Sequence, residues 1–235
     1  MRLITWNCRG GFAKKHDSVA GLHPDILIVQ ECRKMSGVTM SFDSKPARSF
    51  EWFGNDEKKG VAVLSYGDYS LQVHPSYNPT HQWIIPLIVS GPMSFLLLAV
   101  WTVPLGTQGG RYVRPLFEAF ECYKALMNDG KVMWAGDFNA NPRFDTPSRR
   151  YKFTDFAALL ADHGMRSVYH RLRSCEHGEE SEHTFFQYAH ADKGHHIDHI
   201  FSTADLHPNG SELSVGSHSE WGKLSDHMPV ICDFH

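Results

Sequence analysis

Apolar residues along this chain gather in short runs that close on polar residues, and two stretches repeat them at helical spacing. Leu3, Ile4 and Trp6 mark a buried strand over 2–7 that ends at Asn7. Residues 26–31, reading Ile-Leu-Ile-Val-Gln-Glu, form the clearest such run and close on a carboxylate. Shorter β segments are predicted over 50–53, 61–66, 83–89 and 94–103. Ser90-Gly91-Pro92-Met93 joins the last two as a hairpin, and Pro86 favours an edge position or a bulge. Lys131 to Ala135 reads as another buried strand, running into Gly136-Asp137-Phe138-Asn139. Further β segments are expected over 166–169, 184–188, 197–203, 212–217 and 229–234.

Between these lie three predicted helices. The first covers about 14–22 and stops at His23-Pro24. In the second, over 112–128, Val113, Leu116, Phe117, Phe120, Tyr123 and Met127 form one apolar face, with Pro115 in the first turn. The third is capped by Thr154, runs over 156–163 and stops at Gly164. The Glu-rich stretch 174–182 lacks an apolar anchor and is expected to be a flexible loop. No linker or repeat divides the chain, and strands and helices interleave throughout. The economical reading is one α/β domain over 1–235, with two packed sheets flanked by helices.

Composition narrows the function without choosing it. At 42% hydrophobic and 21% charged residues, the chain is neither disordered nor fibrous, and its longest apolar run, 95–101, is too short to span a bilayer. The five cysteines are scattered without a Cys-x-x-Cys pair, which suggests neither a disulfide framework nor a zinc ribbon. With no export signal before the first strand, a reducing cytoplasm is the expected location and no membrane partner is expected. A net charge of −3 gives no overall attraction to nucleic acid, so any such contact must come from a local patch. Sixteen histidines invite a metal reading, but most stand singly in polar stretches and read as solvated surface.

Chemistry gathers at the strand ends. Asn7, Glu31, Asp137 with Asn139, Asp198 and the Asp226-His227 pair each follow or close an apolar run. Asp137 and Asn139, two residues apart, point the same way. Asp198, between Ile197 and Ile200, needs a partner if it is buried. Anionic phosphodiesters demand this kind of set: a seat for a cation, donors for the phosphoryl oxygens and a base for the attacking water.

The blocks Thr5-Trp6-Asn7, Gln30-Glu31, Gly136-Asp137-Phe138-Asn139, Ile197-Asp198-His199 and Ser225-Asp226-His227 together resemble, in order, the endonuclease/exonuclease/phosphatase superfamily. The resemblance spans nearly the whole chain. It implies a four-layer α/β/β/α sandwich with two mixed sheets between helices and a site at one end of them. It further implies that Glu31 is the principal ligand of Mg²⁺ or Mn²⁺, with Asn7 and Asp226 beside it. Asp137 would deprotonate the attacking water, Asn139 would hold that aspartate or the phosphate, and His227, partnered by Asp198, would bind the scissile phosphate. The implied activity is divalent-metal-dependent phosphodiester hydrolysis by a monomer. Its expected partner is nucleic acid, DNA before RNA; the alternative is a phosphatase or phosphodiesterase of the same superfamily acting on a small-molecule, nucleotide or lipid phosphate. A binding domain that kept the fold and lost catalysis is a third reading, which Mg²⁺ binding through Glu31 would exclude.

Two positions depart from the commoner nuclease pattern. Arg9 stands where some abasic-site nucleases carry an acid, and Trp101 stands where a Tyr or His usually contacts phosphate. Trp101 is therefore a candidate for substrate contact or a core aromatic. Arg143, Arg149 and Arg150 form the expected nucleic-acid patch, and the loops 107–111, 143–150 and 217–221, with Trp221, are expected to set substrate preference.

Overall fold

The computed structural model of the protein describes residues 1–35, 41–42, 45–104, 112–128, 130–207 and 209–235. Two six-stranded sheets form its middle. In the first, the strands lie in the order Ser211–Val215, Val230–Phe234, Arg2–Asn7, Ile26–Cys32, Lys59–Ser65 and Ser49–Asp56. In the second the order is Met165–Ser167, Asp198–Thr203, Val132–Asp137, Phe95–Trp101, Ile84–Ser90 and Ser70–Val73. Each sheet contains one parallel pair, Arg2–Asn7 with Ile26–Cys32 and Phe95–Trp101 with Val132–Asp137, and both crossovers carry helix.

Side-chain alternation along these strands builds three cores. Leu3, Ile26, Ile28 and Val63 on one inner face meet Leu97, Ala99, Met133 and Ala135 on the other. Ile4, Trp6, Leu27 and Val29 point the opposite way, toward Phe12, Val19 and Trp221. On the outer face of the second sheet, Leu98, Val100 and Trp134 pack under Arg114–Tyr123 and Phe153–Asp162 through Leu116, Phe120, Phe156 and Leu160. The expected four-layer sandwich with mixed sheets is thus the fold observed. No helix among the described residues is long and apolar enough to cross a membrane.

Several local expectations need correction. The first helix shrinks to a 3₁₀ turn, Phe12–Lys14, and a short α-helix, His16–Ala20, because the chain enters through Gly10 and Gly11 with positive φ and buries Phe12 early. Thr154 lies inside its helix, whose first amides are instead capped from a distance: Asp145 accepts from Phe153 N and Thr154 N at 2.9 and 3.0 Å. Strand 166–169 ends at Ser167, whose hydroxyl caps the helix Val168–Arg173. Strand 184–188 is reduced to Phe185–Phe186. Pro86 is in neither an edge strand nor a bulge. It pairs with Leu98, and its missing N–H falls just beyond the ladder of Ser70–Val73, where its carbonyl accepts from His74 N.

The stretch 174–182 is pinned rather than free. Its anchor is polar: Glu180, 5% exposed, accepts at Oε1 from Asn141 Nδ2, Gly178 N and the ring of His170 at 2.9–3.0 Å.

Candidate active site

Strand direction decides where the polar residues meet. Asn7 and Gln30 end a parallel pair in the first sheet, Trp101 and Asp137 end the parallel pair in the second, and Asp198 opens the strand antiparallel to Asp137. By alternation Asn7 shares the inner face with Leu3, and Asp137 shares it with Met133 and Ala135. The two sheets are stitched there by polar bonds. Asn7 Nδ2 donates to Asp137 Oδ2 at 2.9 Å, and Gln30 Nε2 donates to Thr5 Oγ1 and to the Val100 carbonyl.

Asp137 is fully buried and held on both oxygens. Oδ1 accepts from Asn139 N, and Oδ2 accepts from the amides of Asn7 and Asn139, all at 2.9 Å. The turn that permits this needs Gly136: its φ is +149°, and a Cβ would overlap the Val100 carbonyl. Asn139 then adopts φ 48°, which Asn tolerates, and donates to the Thr102 carbonyl as well. Burial and the neighbouring Asp198 charge push the Asp137 carboxyl up to about 7, against the opposing pull of His227 and the amides.

His227 sits across from it. Both oxygens of Asp198 face His227 Nδ1, at 2.9 and 3.2 Å, which leaves Nε2 4.0 Å from Asp137 Oδ2. Burial disfavours the imidazolium, but Asp198 and Asp137 outweigh it and raise His227 to about 9. Thr184 frames the pair: its hydroxyl accepts from Ile197 N and Asp198 N, and its carbonyl accepts from Met228 N. Trp6 Nε1 donates to the His227 carbonyl from the far side of the first sheet.

Glu31, Asn7 and Asp226 lie at the same end of the first sheet. Glu31 occupies an irregularity in its strand with φ 54°, an outlier for a residue with a Cβ. Its carboxylate meets Lys59 at 2.6 Å, and Asp226 meets Arg9 at 3.5 Å. Asn7 is bracketed between them, since Cys8 N bonds the Gln30 carbonyl and Ser225 Oγ bonds the Asn7 carbonyl. Two partly exposed carboxylates, each facing a cation that an ion would displace, are donors that fit a hard divalent ion, and the Asn7 carboxamide oxygen beside them accepts from Arg9 N at 3.0 Å. Asp137, Asp198 and His227 also converge within 4.8 Å, but they do not suit a cation. His227, raised between two carboxylates, has no lone pair to offer as an imidazolium.

Trp101 pairs with Asp137 in register and lies 7% exposed, its ring edge-on to Trp83 at 4.8 Å. Arg143 donates to the Gly178 carbonyl, and Arg150 lies over the Tyr151 ring. Arg149 is half-buried and Arg150 is exposed. Trp221 is buried against Trp6. The loop 107–111 lies outside the described residues.

Sequence reasoning missed Thr184 and a cluster of His170, His177, His196 and His199 near Glu180. The Thr184 signal is only its place at the start of a short strand. The histidine signal was visible as His196-Ile197-Asp198-His199, where alternation sends Asp198 inward and His199 to the outer face with Phe201.

The sequence model of the Endonuclease/Exonuclease/phosphatase family matches residues 4–227. No curated protein matches the sequence. Among solved structures, the 3′-5′ exonuclease NExo of Neisseria meningitidis aligns over 100% of this chain and 99% of its own, with a TM-score of 0.71 at 21% identity. A structure of the Neisseria 3′ phosphatase NExo bound to a product DNA hairpin gives the same TM-score and coverage at 22% identity. A truncated Caenorhabditis elegans TDP2 aligns over 98% of this chain and 95% of its own, with a TM-score of 0.61 at 12% identity. With the family's sequence model matched from the first strand to His227, on the sandwich its solved relatives share, the chain belongs to the Endonuclease/Exonuclease/phosphatase family of phosphoester hydrolases.

Proposed function

We propose that the protein is a divalent-metal-dependent phosphoesterase acting on DNA, by in-line attack of water on a phosphodiester or a terminal phosphate ester. The observation that carries this reading is the bond from Asn7 to Asp137 across the two sheets, with the charged His227 4.0 Å away. It sets a base and a cationic donor side by side in a buried site.

In this reading Asp137 takes the proton of the attacking water, oriented by Asn7 and Asn139 so that it cannot swing away. His227 donates from Nε2 to a phosphoryl oxygen while Asp198 holds its ring and its charge. Glu31, Asn7 and Asp226 hold Mg²⁺ or Mn²⁺, which when bound supplies positive charge against the phosphoryl oxygens. DNA is the favoured substrate because two of the solved structures like this one are a 3′-5′ exonuclease and a 3′ phosphatase bound to a product DNA hairpin, and Arg149 and Arg150 supply cations at the surface.

The test is turnover of end-labelled plain, 3′-phosphorylated, abasic and single-stranded DNA with Mg²⁺, Mn²⁺ or chelator. Metal-dependent release of nucleotide or phosphate, lost in Asp137→Asn and in His227→Ala, is expected. A folded protein inert on every DNA but active on a phosphorylated small molecule or lipid would overturn the substrate assignment.

A further inference from the structure

The outer face of the second sheet carries a second set of ligating side chains that the proposed reaction does not use. His170, His177 and Glu180 bring one potential ligand atom each within 4.8 Å of one another. His170 and His177 stack with ring centres 3.6 Å apart, and His196 and His199 stand within 6.4 Å of the His170 ring. A cleft of about 450 Å³, walled in part by Ser167, His170, Cys175 and His177, leads to them from the surface.

Hydrogen bonding shows what this pocket lacks. His199 is 1% exposed and uses Nε2 on the Ala140 carbonyl, so the neutral ring presents an unprotonated Nδ1, which has no partner. His196, also 1% exposed, uses Nδ1 on the Glu182 carbonyl and leaves Nε2 without one. His177 Nδ1 is buried and unpartnered too. At His170, Nδ1 faces Ser167 Oγ at 2.7 Å, while Nε2 lies 3.0 Å from Glu180 Oε1. Buried nitrogen lone pairs with no donor are costly, and a cation held by His177 together with His170 and Glu180 would satisfy the one on His177. An ion seated here would replace the proton that His170 Nε2 shares with Glu180 Oε1, two atoms 3.0 Å apart.

We infer that His170, His177 and Glu180 form a second metal site, selective for a transition ion such as Zn²⁺ and separate from the hard-cation site at Glu31. Imidazole nitrogens favour Zn²⁺ over Mg²⁺. With three protein ligands the ion would keep a fourth position toward the cleft, and the ligands are held from behind: Asn141 Nδ2 and Gly178 N donate to Glu180, and Ser167 holds His170. The bound ion would tie 174–182 to Asn141 and His199, and so to the loop that carries Asp137 and Asn139.

The test is Zn²⁺ titration of the full chain after chelation and dialysis, followed by calorimetry, with Co²⁺ absorption as a reporter of tetrahedral nitrogen ligands. Saturable binding that weakens at least 100-fold in His177→Ala and Glu180→Gln, with wild-type affinity kept in Glu31→Gln, is expected. The rise in Tm on adding Zn²⁺ should vanish in the same two variants. Circular dichroism of the metal-free variants establishes that each is folded, and the side chain of His177 lies on the loop, where truncation is tolerated best. Equal Zn²⁺ affinity in His177→Ala, or no saturable binding below 100 µM, would overturn the assignment.

Discussion

Buried histidine rings packed against the two faces of the second sheet are shifted in opposite directions. On the inner face His227 stands between two carboxylates, Asp198 and Asp137, and is raised to about 9. On the outer face four imidazoles surround the single carboxylate of Glu180, and burial together with the neighbouring rings lowers His177 to about 3 and holds His199 well below its usual range. Burial penalises the imidazolium on both faces, so burial does not decide. The number of carboxylates facing each ring does. One face therefore offers a charged donor to an anion, and the other offers lone pairs to a cation.

Removing the base should give the largest change. Asp137→Asn keeps the volume and loses the proton acceptor, so the DNA turnover proposed above should fall at least about 10³-fold, or roughly 4 kcal/mol in barrier height. Unfolding midpoints in urea for the same variant establish that the loss is chemical. A fall of less than about tenfold would mean that the inner face is not where water is activated.

Thr184 stands behind the inner face, and its effect should appear in stability. Thr184→Val strips the acceptor from two buried amides, Ile197 N and Asp198 N, at about 1–3 kcal/mol for each donor left unpaired. A loss of roughly 2–4 kcal/mol with an unchanged urea m-value is expected. If stability holds, water has replaced the hydroxyl and the frame is looser than its bonds suggest.

The charge states themselves can be tested by pH. In the proposed reaction Asp137 acts ionised, so activity should rise with pH through about 7, and His227 acts protonated, so activity should fall again through about 9. These are apparent values of the coupled group. Because Asp198 raises both, Asp198→Asn should move both limbs of the bell toward lower pH and cost roughly 10–100-fold at the optimum. A shift of only one limb would show that Asp198 acts on one partner alone.

Legibility from sequence followed the same division between faces. The inner set could be read because each member ends or opens an apolar run, and strand ends in a mixed sheet converge on one edge. Asp198 could be singled out because an acid between Ile197 and Ile200 has to be paired. The outer cluster escaped because its members come from a strand and its lead-in, a helix and a loop, and the first two residues of that helix, Val168–Arg173, fall in the predicted strand 166–169. Glu180 escaped for a related reason: a Glu-rich stretch looks solvated until Asn141, 39 residues away, turns out to face it. Long-range polar anchoring leaves no periodic trace. Helix caps fail likewise, as Asp145 shows by serving amides eight and nine positions ahead.

The smallest expected effect concerns whether substrate extends over the outer face. Arg143 ties the segment 142–150 to the loop 174–182 through the Gly178 carbonyl, and Arg149 and Arg150 follow on the surface. If DNA runs from the inner face across this segment, those two cations contact phosphates and release counterions on binding. The double variant Arg149→Ala, Arg150→Ala should then weaken binding by about 5–10-fold on every sequence and lower the salt slope of log K by about 1–2. Filter binding of a catalytically dead Asp137→Asn background across a salt series reads both quantities without interference from cleavage. An unchanged slope would place the nucleic acid away from 142–150 and leave the outer face to metal and scaffold alone.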